Sequence, residues 1–460
     1  MTHTMNSRFA IRWLVTFVAI LILTSTASAE WKEKVLYSFQ GATDGATPAG
    51  GVVFDKVGNL YGATTDGGAN NCSPVAACGT VYQLAPPAKK GDAWTETILR
   101  VFQGKASNDG ELPAGGVIAD ASGNIYGTTS YGGTGDCVLL GIKGGCGTVY
   151  EFSPPGTEGG AWTYAILYSF KGENDGYLPN GDLVFDGTGN LYGSTAFGGG
   201  KGTTCDPGYY QYCGTVFKLS PPKTKGSKWT EQVLHSFAGV PNDGANPNGG
   251  LILDSNGAIY GTTTAGGSQA CRTASSVGCG TVFELSLPKT KSGEWTEKLL
   301  NRLDVQDGVN PAAGVVFGGN GDLYGTASGG GNEGAGTVFE LKKLAGSHVW
   351  HEAALYRFEI VSDGANPLGN LIFDKRGNLY GTANGGDKAQ GDVFRLEPPK
   401  RKGAPWVITV LHAFPGAPDG RLPAAGLVFD NLGNLYSTTT EGGTGNACTF
   451  GCGTVFEVRP

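Results

Sequence analysis

The sequence has no excess of basic residues. It contains 33 lysines and arginines against 40 aspartates and glutamates, which gives a formal net charge of -7. Proteins that bind nucleic acids usually present a basic surface to the phosphate groups. We therefore expect no nucleic acid among the partners of this protein.

Long apolar segments are also rare. Residues 13–23 form an apolar run that is short for a bilayer span. Arg8 and Arg12 supply positive charge at or before its start, and the small residues 27–29 (Ala-Ser-Ala) follow it as a cleavage site. We interpret residues 1–29 as a signal peptide. We expect export to the periplasm or the extracellular space, with no membrane span after cleavage.

Histidine, the commonest general acid or base in enzymes, is scarce. Of five histidines, four lie beyond residue 29, and His235 and His412 fall in predicted outer strands of different units. No nucleophile elbow and no phosphate-binding loop is present in the sequence. We therefore predict no catalytic residues. An enzyme stays open as an alternative, because carboxylates alone can support acid–base catalysis.

Glycine, in contrast, is abundant. The chain has 79 glycines in 460 residues, more than twice the usual share of about 7%. The glycines alternate with short runs of aliphatic and aromatic residues, which is typical of short strands joined by tight turns. A disordered chain would be poor in aromatic and β-branched residues, so the composition favours an all-β fold.

A unit repeats seven times along the chain. Each copy carries Gly-Asn-Leu-Tyr-Gly or a close variant, and its tyrosine recurs at spacings of 65, 66, 68, 64, 56 and 56 residues. These tyrosines are Tyr61, Tyr126, Tyr192, Tyr260, Tyr324, Tyr380 and Tyr436. Each unit contains four strand-like segments. This pattern predicts that residues 30–460 form a single seven-bladed β-propeller with four-stranded blades.

The order of the strand-like segments indicates how the ring closes. Residues 31–39 match the fourth strand of a unit, yet they precede all complete units. The last unit ends at residues 453–458, which match its third strand. The N-terminal strand would therefore complete the last blade and hide two open sheet edges.

The ten cysteines fall in one kind of loop, between the second and third strands of five units. They form the local pairs Cys72–Cys78, Cys137–Cys146, Cys205–Cys213, Cys271–Cys279 and Cys448–Cys452. Local disulfides are the expected arrangement in an exported protein. The alternative is a metal site, whose ligands would have to come from five separate blades. The fifth and sixth units lack cysteines. We therefore expect a wall of disulfide-linked loops on one face of the ring, with a notch in this wall over these two neighbouring blades.

Asp-Gly-x-x-Pro precedes the innermost strand of every unit. Its aspartates are Asp44, Asp109, Asp175, Asp243, Asp307, Asp363 and Asp419. We expect these loops on the same face as the cysteine loops, near the mouth of the channel. There, seven carboxylates could bind a hard cation such as calcium, or the hydroxyl groups of a sugar. The alternative is structural, because Asp-Gly forms a turn and proline sets the entry to the strand.

The repeated unit resembles the GloVer tandem repeat of secreted bacterial proteins, a "choice-of-anchor" family. Close matches are residues 249–267 with 280–285 and residues 426–443 with 453–458. The resemblance implies export and a cell-surface or extracellular setting. It implies no established activity and supplies no catalytic residues.

These observations predict a secreted, non-catalytic binding or interaction module. We expect a monomer that binds an extracellular polysaccharide, a protein or a cation at the disulfide-walled face. We expect no cofactor other than calcium. Two alternatives remain: a hydrolase or lyase that acts on an extracellular polymer, and a structural protein of the envelope or matrix.

Overall fold

The protein is a seven-bladed β-propeller. The computed structural model describes residues 31–68, 78–89, 91–139, 142–157, 159–172, 174–200, 213–224, 226–271, 277–290, 293–344, 349–386 and 390–460. Residues Trp31–Pro460 form one compact unit of seven antiparallel sheets, each with four strands from the innermost to the outermost position, and the sheet of blade 6 has a fifth strand, Ala365–Pro367. The fold that the repeat predicts is therefore confirmed. The predicted signal peptide, residues 1–29, lies outside the described residues.

The two inner strands of each blade are short. From blade 1 to blade 7, the innermost strands are Val53–Phe54, Ile118–Ala119, Val184–Phe185, Ile252–Leu253, Val316–Phe317, Ile372–Phe373 and Val428–Phe429. The second strands are Leu60–Thr64, Ile125–Thr129, Leu191–Thr195, Ile259–Thr263, Leu323–Ala327, Leu379–Gly385 and Leu435–Thr439. Most second strands are buried along their whole length, because both of their faces are covered by neighbouring blades.

The two outer strands are longer. The third strands are Thr80–Ala85, Thr148–Ser153, Thr215–Ser220, Thr281–Ser286, Thr337–Lys343, Asp392–Glu397 and Thr454–Arg459. The outermost strands are Thr95–Val101, Thr163–Ser169, Thr230–Ser236, Thr296–Arg302, Trp350–Arg357, Val407–Ala413 and, in blade 7, Lys32–Ser38. Two 3-10 helices, Lys105–Ser107 and Gln269–Cys271, lie in loops. No helix in these described ranges has the length and apolar character of a membrane span.

The N-terminal strand closes the ring. Lys32–Ser38 pairs antiparallel with Thr454–Arg459, in a register that runs from Lys32 opposite Arg459 to Ser38 opposite Thr454. The first strand of the chain is thus the outermost strand of the last blade. The predicted closure is confirmed, and the exposed edge that the third strand of blade 7 would otherwise present is hydrogen-bonded.

The repeated tyrosine links the turn within a blade to the packing between blades. In blade 1, the Tyr61 hydroxyl donates to Asp55 Oδ2 at 3.1 Å, while Asp55 Oδ1 accepts the backbone N–H of Asn59 at 2.9 Å. The Tyr61 ring meets the Trp162 ring of blade 2 at a centroid distance of 5.6 Å. Trp31 and Trp406 meet Tyr380 and Tyr324 in the same way. The periodic tryptophans are therefore packing residues between blades.

A pair of threonine hydroxyls joins the second and third strands in five blades. The paired hydroxyl oxygens lie 2.7–2.9 Å apart in Thr64–Thr80, Thr129–Thr148, Thr195–Thr215, Thr263–Thr281 and Thr439–Thr454. In blade 6, Ala383 and Asp392 occupy these two positions. Asp392 is 2% exposed, and its Oδ1 atom accepts no hydrogen bond from any described residue. Burial, with the charge of Asp363 added, raises the pKa of Asp392 well above its ordinary value.

Restoring the threonine pair in blade 6 should stabilise the protein. The double substitution Ala383→Thr and Asp392→Thr removes a desolvated carboxyl group and supplies a hydroxyl pair, so the free energy of unfolding should rise by about 1–3 kcal/mol. Denaturant unfolding at pH 7 measures this change. The matched control is Thr195→Ala in blade 3, which should lower stability. A double variant no more stable than the parent protein would contradict this account.

Candidate functional site

The seven Asp-Gly-x-x-Pro loops lie on the same face as the cysteine loops. In each unit, the loop pairs through its backbone with the segment that follows the second strand or extends it. The paired residues are Ala46–Asp66, Glu111–Tyr131, Tyr177–Phe197, Ala245–Ala265, Val309–Gly329, Ala365–Gly385 and Arg421–Glu441. This placement agrees with the expectation from the sequence.

The aspartates themselves lie between blades, not around the mouth of the channel. Six of them accept a hydrogen bond from a side chain on the outermost strand just before the loop, with Tyr37, Arg100, Tyr168, His235, Tyr356 and His412 as the partners of Asp44, Asp109, Asp175, Asp243, Asp363 and Asp419. Asp307 instead pairs with Arg357 of the following blade at 2.6 Å. None of the seven lines the axial channel. Their expected position at the channel mouth is therefore wrong, because they are bound to the outermost strands.

Six of the seven aspartates also accept backbone N–H groups of their own turn, whereas Asp304 does so in the loop of Asp307. Asp44, for example, accepts the backbone N–H groups of Gln40 and Gly41 at 2.9 and 3.0 Å. Asp363 similarly accepts the backbone N–H of Glu359 at 2.7 Å. At Asp44 and Asp363, these bonds occupy carboxylate oxygens that a bound cation or sugar would need. The geometry thus favours the structural interpretation of the motif, and ligand binding by these residues stays a prediction.

A second set of carboxyl groups faces these aspartates from the next blade. It comprises Glu96, Glu231, Glu297, Glu352 and Glu33, each at the second or third position of an outermost strand. Burial, with the charge of the facing aspartate added, raises the pKa of the first four to about 7. The sequence analysis missed these residues, although three of them follow tryptophan in a repeated Trp-Thr-Glu.

The axial channel contains two polar side chains at a position where the other blades have glycine. The glycines are Gly51, Gly116, Gly250, Gly314 and Gly426, and the exceptions are Asp182 in blade 3 and Asn370 in blade 6. Asn370 Nδ2 donates to Asp182 Oδ2 at 3.0 Å, although the two residues are 188 positions apart in the chain. The backbone N–H of Gly116 donates to Asp182 Oδ1 at 2.6 Å, and that of Gly314 donates to Asn370 Oδ1 at 2.8 Å.

Protein surrounds Asp182, so its remaining exposure is to the interior of the channel. Desolvation raises the pKa of this carboxyl group, although the hydrogen bonds from Gly116 and Asn370 oppose the shift. The Asp182–Asn370 pair was not predicted. The signal in the sequence is the break in a column of glycines, which is visible once the seven units are aligned on one another.

Two cavities adjoin the Asp182–Asn370 pair. The first, of about 110 Å³, lies toward the cysteine loops and is lined mainly by glycine and alanine, with Asn180 and Asn248. The second, of about 320 Å³, lies on the other side. Its wall includes seven partly exposed β-branched side chains, which are Val53, Ile118, Val184, Ile252, Val316, Ile372 and Val428. A largely apolar cavity with few polar groups is the usual form of a small-molecule site.

Three of the five expected cysteine pairs are disulfides in the structure: Cys137–Cys146, Cys271–Cys279 and Cys448–Cys452. Cys78 and Cys213 are also disulfide-bonded, and their expected partners Cys72 and Cys205 lie outside the described residues. The described part of the chain contains no free cysteine.

The repeated unit and the ring that it builds agree with one known family. A family model, the Gloeobacter/Verrucomicrobia repeat, matches residues 22–205 and 201–456. The chain belongs to this family. The match spans nearly the whole Gloeobacter/Verrucomicrobia repeat protein, and it confirms the resemblance that the repeat motif suggested. No curated protein matches its sequence.

Several solved structures resemble the repeat protein at low sequence identity. A protein of unknown function from Dyadobacter fermentans is 12% identical, with a TM-score of 0.45 and coverage of 94% of this chain and 98% of that chain. A luciferin-regenerating enzyme is 14% identical (TM-score 0.43, coverage 78% and 94%), and a gluconolactonase from Xanthomonas campestris is 15% identical (TM-score 0.35, coverage 68% and 78%). Similarity at this level carries no assignment of activity.

The glutamates between blades should make stability decrease as pH rises. In the unfolded chain they ionise near pH 4.5, whereas in the folded protein Glu96 and Glu231 hold their protons up to about pH 7. Their stabilising effect is complete below pH 4.5 and is lost as pH approaches 7. The free energy of unfolding of the double variant Glu96→Gln and Glu231→Gln should therefore decrease less steeply between pH 5 and pH 8. The change in slope corresponds to the loss of up to one bound proton per replaced residue.

Denaturant unfolding at a series of pH values measures this dependence. Exposed Glu294 supplies the control, because Glu294→Gln removes a carboxyl group that faces solvent. An unchanged slope in the double variant would show that these glutamates are ionised in the folded protein at pH 6.

Proposed function

We propose that this Gloeobacter/Verrucomicrobia repeat protein is an exported, monomeric, non-catalytic binding module that holds a small amine in its axial channel. The observation that carries the proposal is the Asp182 carboxyl group, enclosed in the channel and hydrogen-bonded to Asn370 across the axis at 3.0 Å. It lies at a position where five of the seven blades have glycine.

The fold does not require a carboxyl group at this position. Five blades form the same innermost strand with glycine there, and an enclosed carboxyl group with few hydrogen-bond donors lowers stability. Two polar residues from blades 3 and 6 also meet at one point of the channel, which a random departure from the repeat would rarely produce. Costly polar groups that converge in a cavity are typical of a functional site.

The surroundings of Asp182 favour a ligand with one positive charge and an apolar body. A carboxylate can accept about four hydrogen bonds, and Asp182 accepts two from the described residues. An ammonium group would supply the missing donors and would favour the ionised carboxylate, whose pKa desolvation now raises. The β-branched wall of the 320 Å³ cavity would contact the hydrocarbon part of the ligand.

Binding is favoured over catalysis by what lines the channel. Asp182 is the one ionisable side chain among the described residues that line the two cavities. General acid–base or nucleophilic catalysis normally needs a second positioned group. We therefore keep the hydrolase or lyase as the less supported alternative.

Export from the cytoplasm is part of the proposal. The three disulfides of the described chain support it, because disulfides persist mainly in oxidising compartments. The signal-like residues 1–29 point the same way. We do not extend the proposal to calcium at a ring of the seven Asp-Gly-x-x-Pro aspartates, since protein donors occupy oxygens of Asp44, Asp109 and Asp175.

Substitution to the repeat glycine tests the proposal. Thermal melts with benzylamine and n-butylamine should show a rise in the midpoint for the parent protein, equivalent to about 2.7 kcal/mol when the amine is present at 100 times its dissociation constant. Asp182→Gly should abolish this rise. Without amine, the variant should be at least as stable as the parent, because five blades carry glycine there.

Matched neutral compounds separate charge from shape. Benzyl alcohol and n-butanol resemble the two amines but carry no charge, so they should raise the midpoint less. Asp182→Asn keeps the size of the side chain and should lose most of the response to amines. The proposal fails if the parent protein responds to neither amine, or if Asp182→Gly responds as the parent does.

A further inference from the structure

The junction between blades 6 and 7 brings together three side chains that can bind metal ions. His412 lies on the outermost strand of blade 6, Asp419 in the loop that enters blade 7, and Glu33 on the N-terminal strand. His412 Nε2 lies 3.0 Å from Asp419 Oδ2, and one ligand atom from each of the three side chains lies within 4.8 Å of the other two. Within the described ranges, this is the one group of three such residues that meets this distance.

We propose that Glu33, His412 and Asp419 bind a zinc-class transition-metal ion. Zinc binds imidazole nitrogen and carboxylate oxygen at about 2.0–2.2 Å, and tetrahedral geometry then separates ligand atoms by about 3.3 Å. The ligand atoms of the three side chains lie within 4.8 Å of one another, so they must approach by at most about 1.5 Å to reach this separation. The histidine nitrogen favours zinc over calcium, which prefers oxygen ligands alone. Water would complete the coordination.

The charges at this junction also call for a cation. Glu33 and Asp419 are two carboxyl groups close together, and Glu33 Oε1 is buried without a hydrogen-bond donor from the described residues. A metal ion would compensate both carboxylates at once.

The other junctions show why histidine is the decisive residue. Where blades 1, 3 and 6 begin, Tyr37, Tyr168 and Tyr356 occupy the place of His412 and donate to the aspartate. A tyrosine hydroxyl satisfies the aspartate, but it is a weak ligand for zinc at neutral pH, because burial raises its pKa. Neutral imidazole offers a lone pair to a metal.

The junction between blades 3 and 4 is an internal control. It contains the same three residue types, with His235 Nε2 3.3 Å from Asp243 Oδ2 and Glu297 facing them. These three do not meet the 4.8 Å distance that unites Glu33, His412 and Asp419. We therefore place the metal at the ring-closing junction alone.

A metal ion here would strengthen the closure of the ring. Glu33 belongs to the strand that completes blade 7, whereas His412 belongs to blade 6. The N-terminal strand is held to blade 7 by its backbone ladder. The metal would connect the same strand to the preceding blade, so opening of the ring would require its release.

Zinc titration of the purified protein tests the proposal. The protein is prepared without a histidine tag, with its disulfides intact, and is stripped with EDTA. Calorimetry should give one zinc ion per chain, and zinc should raise the thermal midpoint, whereas calcium should not. His412→Tyr should fold, since tyrosine occupies this position at three junctions. It should weaken zinc binding by more than about 100-fold, which exceeds the loss expected for a residue that only hydrogen-bonds to a metal ligand.

Two further variants make the result specific. His235→Tyr is the same substitution at the control junction and should leave zinc affinity unchanged. Glu33→Gln keeps the fold and should also weaken binding. The proposal is overturned if the parent protein binds no zinc, if His412→Tyr binds zinc as the parent does, or if His235→Tyr loses binding equally. Cobalt(II) gives a second readout, because the parent protein should show the visible absorption of a four-coordinate site and His412→Tyr should not.

Discussion

The close approach of the innermost strands around the axis is the constraint on which the rest of the structure depends. Before the innermost strand of blade 1, a side chain at Gly50 would place its Cβ atom 2.5 Å from the carbonyl oxygen of Gly115 in blade 2. A Cβ atom at Gly50 would therefore displace the neighbouring backbone, because seven backbones meet around one channel, although Ala313 and Ala425 occupy the equivalent position in blades 5 and 7. The second strands are then enclosed by neighbouring blades, and their tyrosines pack against aromatic rings of the next blade, as Tyr61 does with Trp162 and Tyr436 with Phe54.

Features that repeat along the chain could be predicted, whereas contacts between unlike units could not. The blade count, the ring closure by residues 31–39 and the local cysteine pairs follow from spacing within one or two units. The contact between Asp182 and Asn370 joins residues 188 positions apart, and it depends on which blades face each other across the axis. The aspartates of Asp-Gly-x-x-Pro illustrate an intermediate case. Their face of the ring follows from the repeat, but their direction depends on donors such as Tyr168.

Departures from the repeat are the informative residues in such a protein. An element that recurs in nearly all units serves the blade, as the Tyr61–Asp55 turn does in blade 1. A departure that lowers stability needs another explanation, and the enclosed Asp182 is of this kind, since glycine satisfies the fold in five other blades. For each departure, the other units also show a residue that the same backbone conformation accommodates. A substitution to that residue therefore removes the side chain of interest and preserves the local backbone.

The seven junctions between blades provide different partners for a partly buried carboxyl group. Each places a carboxyl group where water is scarce, and a partly buried carboxylate is stable only with donors or a positive charge nearby. Arg100 supplies a charge to Asp109 at 2.5 Å, and Arg357 supplies one to Asp307 at 2.6 Å. Tyrosine supplies only a hydroxyl donor. Burial, with the charge of the facing aspartate, raises the glutamate pKa to about 7 at tyrosine, histidine and arginine junctions alike. Histidine is the one partner in this series that can donate, carry charge or coordinate a metal. Its presence beside the N-terminal strand therefore places the most adaptable partner next to the one strand of blade 7 that is not continuous in sequence with the other three.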